Sequence, residues 1–374
     1  MSKNKELEKG RRVVVKIGST LLVDEELGTV HRKWLEALAE DISALSKRGQ
    51  EVIIVSSGAI AIGRRHLGLP AGLLKLDENQ AAAATGMVRL AHAYQEVLAN
   101  HDMTVAQVLL TLDDSENRRR YINARNTLEA LLRLGAVPLI NENDTVATDE
   151  IRFGDNDRLA ARVAAMISAD TLVLLSDIDG LYTADPRRDA AAAIIPEITE
   201  ITPDIEAMAG EALPGGDTKG GMITKLSAAK VCLANGCKMV ITDGREPHPL
   251  KRLEDGAKAT WFMPSATPKT ARKRWISGSL SPMGAVVLDD GAVRALGSGK
   301  SLLPAGIVAV EGNFQRGDAV VVKTTDGRDL GRGLVAYSAE DARRIIGYKT
   351  SEIEVLLGYR GRDEMIHRDD LVLN

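Results

Sequence analysis

The sequence predicts an α/β protein: an open, mainly parallel sheet sandwiched by helices, followed by a small β-rich domain. Through the first two thirds of the chain, short apolar runs rich in β-branched residues alternate with longer segments rich in Ala and Leu. This alternation is typical of a parallel sheet whose faces are covered by helices. From residue 283 onward, β-rich segments with turn dipeptides indicate the second domain.

Four strands are predicted in the first domain. Each is a continuous apolar run, as expected for a strand buried on both faces. The runs are residues 13–17, 52–55, 137–140 and 172–175. Polar or glycine-rich residues follow each run, and open α/β sheets bind ligands beyond the carboxyl ends of their strands. We therefore expect the functional site at that edge.

Helices are predicted between the strands. In segments 32–48 and 159–167, Leu, Ile and Val recur every three or four residues among abundant Ala. A further helix is predicted from the glycine pair at 220–221 to about residue 234. These helices should cover the sheet.

The pattern changes near residue 262. We assign residues 1–262 to the first domain, 263–282 to a linker and 283–374 to a β-rich domain. The linker is predicted from two prolines and a basic cluster in FMPSATPKTARKRW. In the last domain, the dipeptides at 290–291 and 326–327 are both Asp-Gly and are predicted to form hairpin turns.

The composition excludes several classes of protein. The chain has 48 Lys plus Arg against 52 Asp plus Glu, which argues against a protein whose main partner is nucleic acid. Cys232 and Cys237 are too few for a disulfide framework and are predicted to be reduced and buried. There is no apolar run of membrane-spanning length and no signal-like start, so we expect a cytoplasmic protein.

Lys16 stands inside an otherwise apolar strand. Burying its charge is costly unless it meets an anion at the strand end, which makes it a candidate ligand-binding residue. Gly18 would let a ligand approach the backbone, and Ser19 and Thr20 offer donors for phosphate oxygens. The alternative is a lysine whose ammonium group reaches solvent.

Polar clusters follow two other strands. Ser57 comes after the second strand, just before a predicted helix, and can contact an anion. The segments 141–144 (NEND) and 154–157 (GDND) combine carboxylates and amides. They suit either turns and helix capping or recognition of an ammonium group and the ordering of cations around phosphates.

Lys225 lies in the first turn of the predicted helix after the glycine pair. A cation is normally unfavourable there, unless a polyphosphate rests on the helix N-terminus. Two lysines that meet one phosphoryl group, held by an aspartate, would suit phosphoryl transfer, which depends on positioning and charge stabilisation.

These motifs resemble the amino acid kinase superfamily and, within it, the two-domain glutamate 5-kinase family. The motifs VVVKIGST, IIVSSGAIAIG, PLINENDTVAT, GDNDRLAA, LLSDIDGLYTADPR and GGMITK occur in the family's order, and the tail with SLLPAGI resembles its PUA domain. The resemblance covers nearly the whole chain. It implies the amino acid kinase fold followed by a PUA-like barrel.

The resemblance also implies an activity. It is the ATP-dependent phosphorylation of the side-chain carboxylate of L-glutamate to L-glutamyl 5-phosphate, the first step of proline biosynthesis, with inhibition by proline. ATP and Mg²⁺ are the implied cofactors, the Mg²⁺ being held mainly by the ATP phosphates.

Roles for individual residues follow from the resemblance. Lys16 and Lys225 would stabilise the moving phosphoryl group, and Asp157 would order both lysines. The implied glutamate-binding residues are Ser57, Asp144, Asp155 and Asn156. The implied ATP-binding residues are Lys16, Gly18, Ser176, Asp177, Lys219, Gly220, Gly221, Met222, Ile223, Thr224 and Lys225, with Tyr182 as a further candidate. The chain departs from the family at Thr218 and Lys219, where small residues are common.

Other readings of the sequence stay open. PUA-like domains occur in RNA-modifying enzymes, but residues 276–374 hold 12 Lys plus Arg against 14 Asp plus Glu, which argues against an RNA-binding role except through a local basic patch. A kinase for another acid, such as N-acetylglutamate, is the nearest enzymatic alternative. We also expect a homo-oligomer, a glutamyl phosphate reductase as a partner, and no membrane partner.

Overall fold

The computed structural model describes residues 5–24, 26–70, 72–146, 156–187, 189, 191–209, 221–278 and 281–374. The chain divides into two compact units, Met1–Pro268 and Lys269–Asn374. Among the described residues, no helix is both long and apolar enough to span a bilayer.

The first unit alternates strands and helices. Its strands are β1 (Arg12–Ile17), β2 (Val23–Asp24), β3 (Thr29–Val30), β4 (Glu51–Ser56), β5 (Thr104–Leu110), β6 (Ala136–Glu142), β7 (Thr171–Ser176), β8 (Glu197–Ile198), β9 (Lys238–Asp243) and β10 (Ala259–Phe262). Its helices are α1 (Ser19–Leu22), α2 (Arg32–Lys47), α3 (Ala59–His66), α4 (Leu76–Ala99), α5 (Leu112–Glu116), α6 (Arg118–Arg133), α7 (Asn156–Met166), α8 (Pro203–Met208), α9 (Met222–Ala234) and α10 (Pro249–Glu254).

An eight-stranded sheet forms the centre of this unit, in the order β5-β6-β4-β1-β7-β9-β10-β8. All neighbouring strands are parallel except β9 and β10. The four predicted strands are β1, β4, β6 and β7, which lie side by side in the middle of the sheet. The predicted parallel sheet is therefore confirmed, and the carboxyl ends of these strands share one edge.

The two faces of the sheet carry separate apolar cores. Val13 and Val15 pack with α2 and α4, whereas Val14 packs with α7 and α9 on the other face. Because successive side chains of a strand point to opposite faces, Lys16 lies on the same face as Val14. The sheet thus directs the one lysine of β1 toward α7 and α9.

Helices α3 and α4 cross with their backbones in contact. A Cβ at Gly63 would lie 1.7 Å from the carbonyl oxygen of Ala82, and one at Gly86 would lie 1.7 Å from that of Ala59. Only glycine fits at such a crossing. The contact at Ala59 holds the first residue of α3, immediately after the Ser56–Ser57–Gly58 turn.

The second unit is built around a smaller sheet. Its strands are β11 (Gly284–Leu288), β12 (Ile307–Gly312), β13 (Ala319–Thr324), β14 (Asp329–Leu334) and β15 (Leu371–Leu373), in the order β12-β11-β13-β14-β15. Its helices are α11 (Pro268–Gly278), α12 (Asp290–Gly297), α13 (Ala339–Ile345) and α14 (Ile353–Leu357). The β-rich second domain predicted from the sequence is confirmed.

Two features of this region differ from the expectation. The segment 263–282 that we predicted as a linker contains α11, whose Ile276 is buried against Ala319 and Leu334 of the second unit. The hairpin predicted at 290–291 is wrong. Asp289 caps the N-terminus of α12 by accepting a hydrogen bond from the Ala292 amide at 2.6 Å, so the Asp-Gly pair begins a helix.

The other sequence expectations for turns and thiols hold. The Asp-Gly pair at 326–327 joins the antiparallel strands β13 and β14, and Gly327 has the positive φ of such a turn. Cys232 and Cys237 are buried and free, as predicted.

Candidate active site

Two lysines and one aspartate meet at the carboxyl edge of the large sheet. Lys16 is the penultimate residue of β1, Asp157 lies in the first turn of α7, and Lys225 lies in the first turn of α9. Their exposed fractions are only 8%, 1% and 6%. Three charged side chains are seldom buried together unless they compensate one another.

The aspartate bridges the two lysines. The Lys16 Nζ atom lies 2.7 Å from Asp157 Oδ1, and the Lys225 Nζ atom lies 3.1 Å from Asp157 Oδ2. The hydroxyl of Thr224 lies 3.2 Å from Oδ2 and 2.8 Å from the Gly221 carbonyl oxygen, and its single proton can be donated to either. This cluster, Lys16–Asp157–Lys225, holds two ammonium groups against one carboxylate and so carries an excess of positive charge.

Opposing effects set the protonation of Asp157. Burial alone would raise its pKa, but the charges and hydrogen bonds of Lys16 and Lys225 outweigh that effect and lower it. Asp157 is therefore ionised at neutral pH. It can hold the lysines in place but cannot accept a proton readily.

The N-terminus of α9 lies beside this cluster. Gly221 caps the helix without a side-chain hydrogen bond, and among the described residues no atom lies within 4 Å of where its Cβ would be. The first turn contains no acidic residue. The first turn of a helix beside buried ammonium groups is suited to an anion.

A second, uncharged group of residues lies at the end of β4. The Asn156 Nδ2 atom donates a hydrogen bond to Ser57 Oγ at 2.7 Å, and the Ser57 amide donates to the Ile17 carbonyl at 3.2 Å. Gly58 follows with a φ of 99°, in the left-handed region, and turns the chain into α3. In the part of the chain that the structure describes, the buried Asn156 Oδ1 has no hydrogen-bond partner. We call Ser57 and Asn156 the substrate corner.

Comparisons with known proteins identify the family of this chain. Residues 11–243 match the model of the amino acid kinase family, and residues 284–357 match that of the PUA domain. The chain is 67% identical to the glutamate 5-kinase of Paramagnetospirillum magneticum over 98% of this chain and 99% of that protein. It belongs to the glutamate 5-kinase family. The glutamate 5-kinases of Rhodospirillum rubrum and Rhizobium etli are 61% and 57% identical, over 96% and 100% of this chain and 96% of each relative.

Within this family member, the structure brings some of the predicted site residues together. Lys16, Asp157, Thr224 and Lys225 contact one another, as do Ser57 and Asn156. Because Asn156 and Asp157 are consecutive at the start of α7, the two groups are joined by one helix turn. The predicted residues Asp155, Lys219 and Gly220 lie outside the described residues.

Asp144 lies in the turn after β6, a strand whose carboxyl end is at the same edge of the sheet as the cluster. It is half-buried, and burial raises its pKa to about 6. A carboxyl group with this pKa is largely ionised at pH 7 and protonated in mild acid. No contact with Ser57 or Asn156 connects it directly to the substrate corner.

The remaining predicted nucleotide-binding residues lie around the ends of β1, β7 and α9. Ser176 ends β7 and donates to Asp177 at 3.1 Å, while Tyr182 donates to Asp179 at 3.0 Å instead of reaching the lysines. A Cβ at Gly18 would meet only the Leu175 carbonyl, at 3.8 Å. Gly18 is therefore not required by packing, and the space beside it is open. Met222 and Ile223 open α9, and Ile223 is exposed.

Sequence reasoning does not predict the role of two residues that support the substrate corner. Asn141 donates from Nδ2 to the Ser56 carbonyl at 2.8 Å, and the hydroxyl of Tyr94 lies 3.1 Å from Ser56 Oγ. Asn141 was part of the predicted NEND cluster, but without this role. Tyr94 belongs to α4, a helix with no motif that points to a site.

Proposed function

We propose that this chain transfers the γ-phosphoryl group of ATP to the side-chain carboxylate of L-glutamate, producing L-glutamyl 5-phosphate for proline biosynthesis. The observation that carries this proposal is the buried Lys16–Asp157–Lys225 cluster beside the N-terminus of α9. The choice of glutamate as the substrate is based on the relatives named glutamate 5-kinase, since they match nearly the whole chain.

The cluster fits the demands of phosphoryl transfer, in which negative charge spreads over the oxygens of the moving group. Lys16 and Lys225 place two ammonium groups on either side of one carboxylate, at 2.7 and 3.1 Å. They would neutralise the phosphoryl oxygens as the bond to the leaving oxygen lengthens. Because Asp157 already holds both lysines, little reorganisation is needed during the reaction.

No general base is required for this reaction. The attacking group is a carboxylate, which is ionised at neutral pH without help from the protein. Asp157, the only carboxylate in the cluster, has a lowered pKa and two cationic partners, so it would be a poor base. Its role is to position the lysines.

The substrate corner has the donors and acceptors that an amino acid needs. Ser57 Oγ accepts from Asn156 and keeps its own proton to donate to a substrate carboxylate. The unpartnered Asn156 Oδ1 can accept from the α-ammonium group, and the Asp144 carboxylate would add attraction for the same cation. Both interactions favour an unmodified α-amino group over an acetylated one.

The nucleotide would lie with its phosphates between Lys16 and the N-terminus of α9. Gly18 and Gly221 leave open space there, and Ser176 and Asp177 extend the site along the end of β7. The described residues form no cluster of three or more His, Cys, Asp or Glu side chains that could hold a metal ion. As the resemblance to the family implies, we propose that Mg²⁺ is bound mainly through the oxygens of ATP.

The test is a hydroxamate assay with purified full-length protein, ATP and Mg²⁺. Hydroxylamine traps the acyl phosphate formed from L-glutamate, and N-acetylglutamate and L-aspartate serve as parallel acceptors. We expect hydroxamate with glutamate at a kcat/KM at least about 100-fold above either alternative, because an ammonium-binding site rejects a substrate that leaves its polar groups unpaired. Preference for N-acetylglutamate, or no turnover with any acceptor, would reject the proposal.

Three further properties are proposed on the resemblance alone. Proline would inhibit the enzyme, the chain would form a homo-oligomer, and a glutamyl phosphate reductase would receive the labile acyl phosphate. Adding proline to the hydroxamate assay tests the first, light scattering tests the second, and co-purification with the reductase tests the third.

A further inference from the structure

We infer that Tyr94 is a positioning residue for the substrate corner and that it acts on Ser57 through the side chain of Ser56. The inference rests on the proposed function, because it concerns how glutamate is held. Tyr94 lies on α4, 37 positions from Ser57 along the chain, and touches no residue of the Lys16–Asp157–Lys225 cluster among the contacts described above.

A directed relay of hydrogen bonds joins Tyr94 to Ser57. Ser56 Oγ donates to the Ser57 carbonyl oxygen at 3.3 Å and lies 3.1 Å from the Tyr94 hydroxyl. Since a serine hydroxyl has one proton and Ser56 uses it toward Ser57, the bond between the two side chains must be donated by Tyr94. The order is therefore Tyr94 to Ser56 to the Ser57 carbonyl.

The relay completes the positioning of the turn. The Ser57 amide is held by the Ile17 carbonyl at 3.2 Å, and the Ser56 carbonyl is held by Asn141 Nδ2 at 2.8 Å. The relay orients the next carbonyl, that of Ser57. With the backbone held on both sides, Ser57 Oγ stays at hydrogen-bond distance from Asn156, 2.7 Å, before substrate arrives.

Packing alone does not require a hydroxyl at position 94. Tyr94 and Ser56 are 1% and 0% exposed, and a phenylalanine would fill the same apolar space. Burying a hydroxyl is unfavourable unless it is hydrogen-bonded, so the Tyr94 hydroxyl needs Ser56 as its partner. Burial also raises the pKa of Tyr94 well above its usual value, which keeps it a proton donor through the neutral range.

The experiment is a double-mutant cycle with Tyr94→Phe, Ser56→Ala and the double variant, assayed as full-length protein. We expect each single variant to raise the KM for glutamate about three- to tenfold, the range of one neutral hydrogen bond. The kcat and the KM for ATP should stay within about twofold. The KM for glutamate of the double variant should be no higher than that of the more impaired single variant, because both changes break the same relay.

Tyr337→Phe is the matched control. Tyr337 is also buried, and its hydroxyl donates to the Arg362 carbonyl within the second unit. It removes a hydrogen-bonded, buried tyrosine hydroxyl without touching the relay. We expect a comparable loss of thermal stability and an unchanged KM for glutamate.

Several results would overturn the inference. An unchanged KM for glutamate in a folded Tyr94→Phe variant would do so, as would additive effects in the double variant. An equal rise in the KM for ATP would also do so, because it would indicate that the whole site has become less rigid. If Tyr94→Phe does not fold, Ser56→Ala tests the same relay, because it removes the hydroxyl that links Tyr94 to Ser57. Wild-type turnover separates the two proposals: its absence rejects the proposed function itself, whereas normal wild-type turnover with an unchanged variant KM rejects only the role of Tyr94.

Discussion

The Lys16–Asp157–Lys225 cluster and the substrate corner lie side by side but are held together by different forces. The cluster consists of charged groups, with ion pairs of 2.7 and 3.1 Å and no more than a tenth of each side chain exposed. The corner consists of uncharged hydrogen bonds between Asn156, Ser57 and the surrounding backbone. Asn156 belongs to the corner and Asp157 to the cluster, and the two residues are consecutive at the start of α7.

This difference suggests that the cluster and the corner affect different steps, the reaction itself and the binding of substrate. Buried charges interact strongly with a group whose charge changes during the reaction, so the cluster should act mainly on the transition state. Neutral hydrogen bonds are worth about 0.5–1.5 kcal/mol each and depend on geometry, so the corner should act mainly on substrate affinity. The first should be visible in kcat, and the second in the KM for glutamate.

Lys225→Ala should give the largest effect. We expect kcat to fall about 1,000-fold, equivalent to about 4 kcal/mol, with the KM for glutamate within about threefold of the wild type, because the ammonium group acts on the moving phosphoryl group. Lys238→Ala is the control, since Lys238 begins β9 at the amino edge of the sheet, opposite the site, where it pairs with Glu6. This variant should leave kcat within about twofold. A loss confined to KM would contradict the role of Lys225.

Asp157→Asn should reveal the cost of burying the two lysines. We expect the free energy of unfolding at pH 7 to fall by about 3 kcal/mol, because the variant removes the carboxylate that pairs with both buried ammonium groups. The lowered pKa of Asp157 means that its contribution is complete above the unfolded-state pKa of about 4 and is lost as the pH falls below it. Urea unfolding at pH 7 and pH 3.5 should therefore show a smaller difference in acid.

The control for that variant is Asp243→Asn. Asp243 pairs with Arg245 at 2.6 Å, but the arginine side chain is 63% exposed, so the loss should be below about 1 kcal/mol. Equal losses in the two variants would show that burial does not distinguish the cluster from a surface pair.

Gly86→Ala tests the support of the corner. Its Cβ would lie 1.7 Å from the Ala59 carbonyl, so α3 and α4 would have to separate, and we expect about 2 kcal/mol of lost stability in chemical unfolding. Gly297→Ala is the control, because Gly297 also has a negative φ and no atom lies within 4 Å of its Cβ position. A Gly86 variant as stable as the control would mean that the crossing relaxes freely.

Asn156→Ala should raise the KM for glutamate about tenfold and leave kcat within about threefold, because it removes one acceptor and one partner of Ser57. Asn235→Ala, whose amide is bound to the Val231 carbonyl at the far end of α9, should leave the KM unchanged. If kcat fell while the KM stayed constant, the division between corner and cluster would be wrong.

The smallest expected effect is a pH dependence that comes from Asp144. Burial raises its pKa to about 6, so it loses its charge, and its attraction for the substrate ammonium group, as the pH falls through that value. We expect the KM for glutamate to rise about fourfold between pH 7 and pH 5.5, because the ionised fraction of one carboxyl group with this pKa falls by about that factor. Asp144→Asn should raise the KM at pH 7 and abolish this slope; a slope that persists would belong to another group.

Much of the fold was predictable because its strongest signals are local. The runs at 13–17 and 172–175 coincide with β1 and β7 to within one residue, since strands covered on both faces must be apolar throughout. Lys16 was recognisable for the same reason, as the exception within such a run. The pair at 290–291 was misread because Asp-Gly suits both a hairpin turn and a capped helix start, and the choice depends on which residues pack after it.

The sequence by itself determined the order of the elements, the edge of the sheet that carries the site, and the family. Only the tertiary structure decided the distances at which Lys16 and Lys225 pair with Asp157, the backbone contact of α3 and α4 at Gly63 and Gly86, and the hydrogen bond between Tyr94 and Ser56. The physical reason is distance along the chain. Apolar periodicity acts over a few residues, whereas ion pairs, backbone contacts and buried hydrogen bonds depend on distances that exist only after the helices have packed against the sheet.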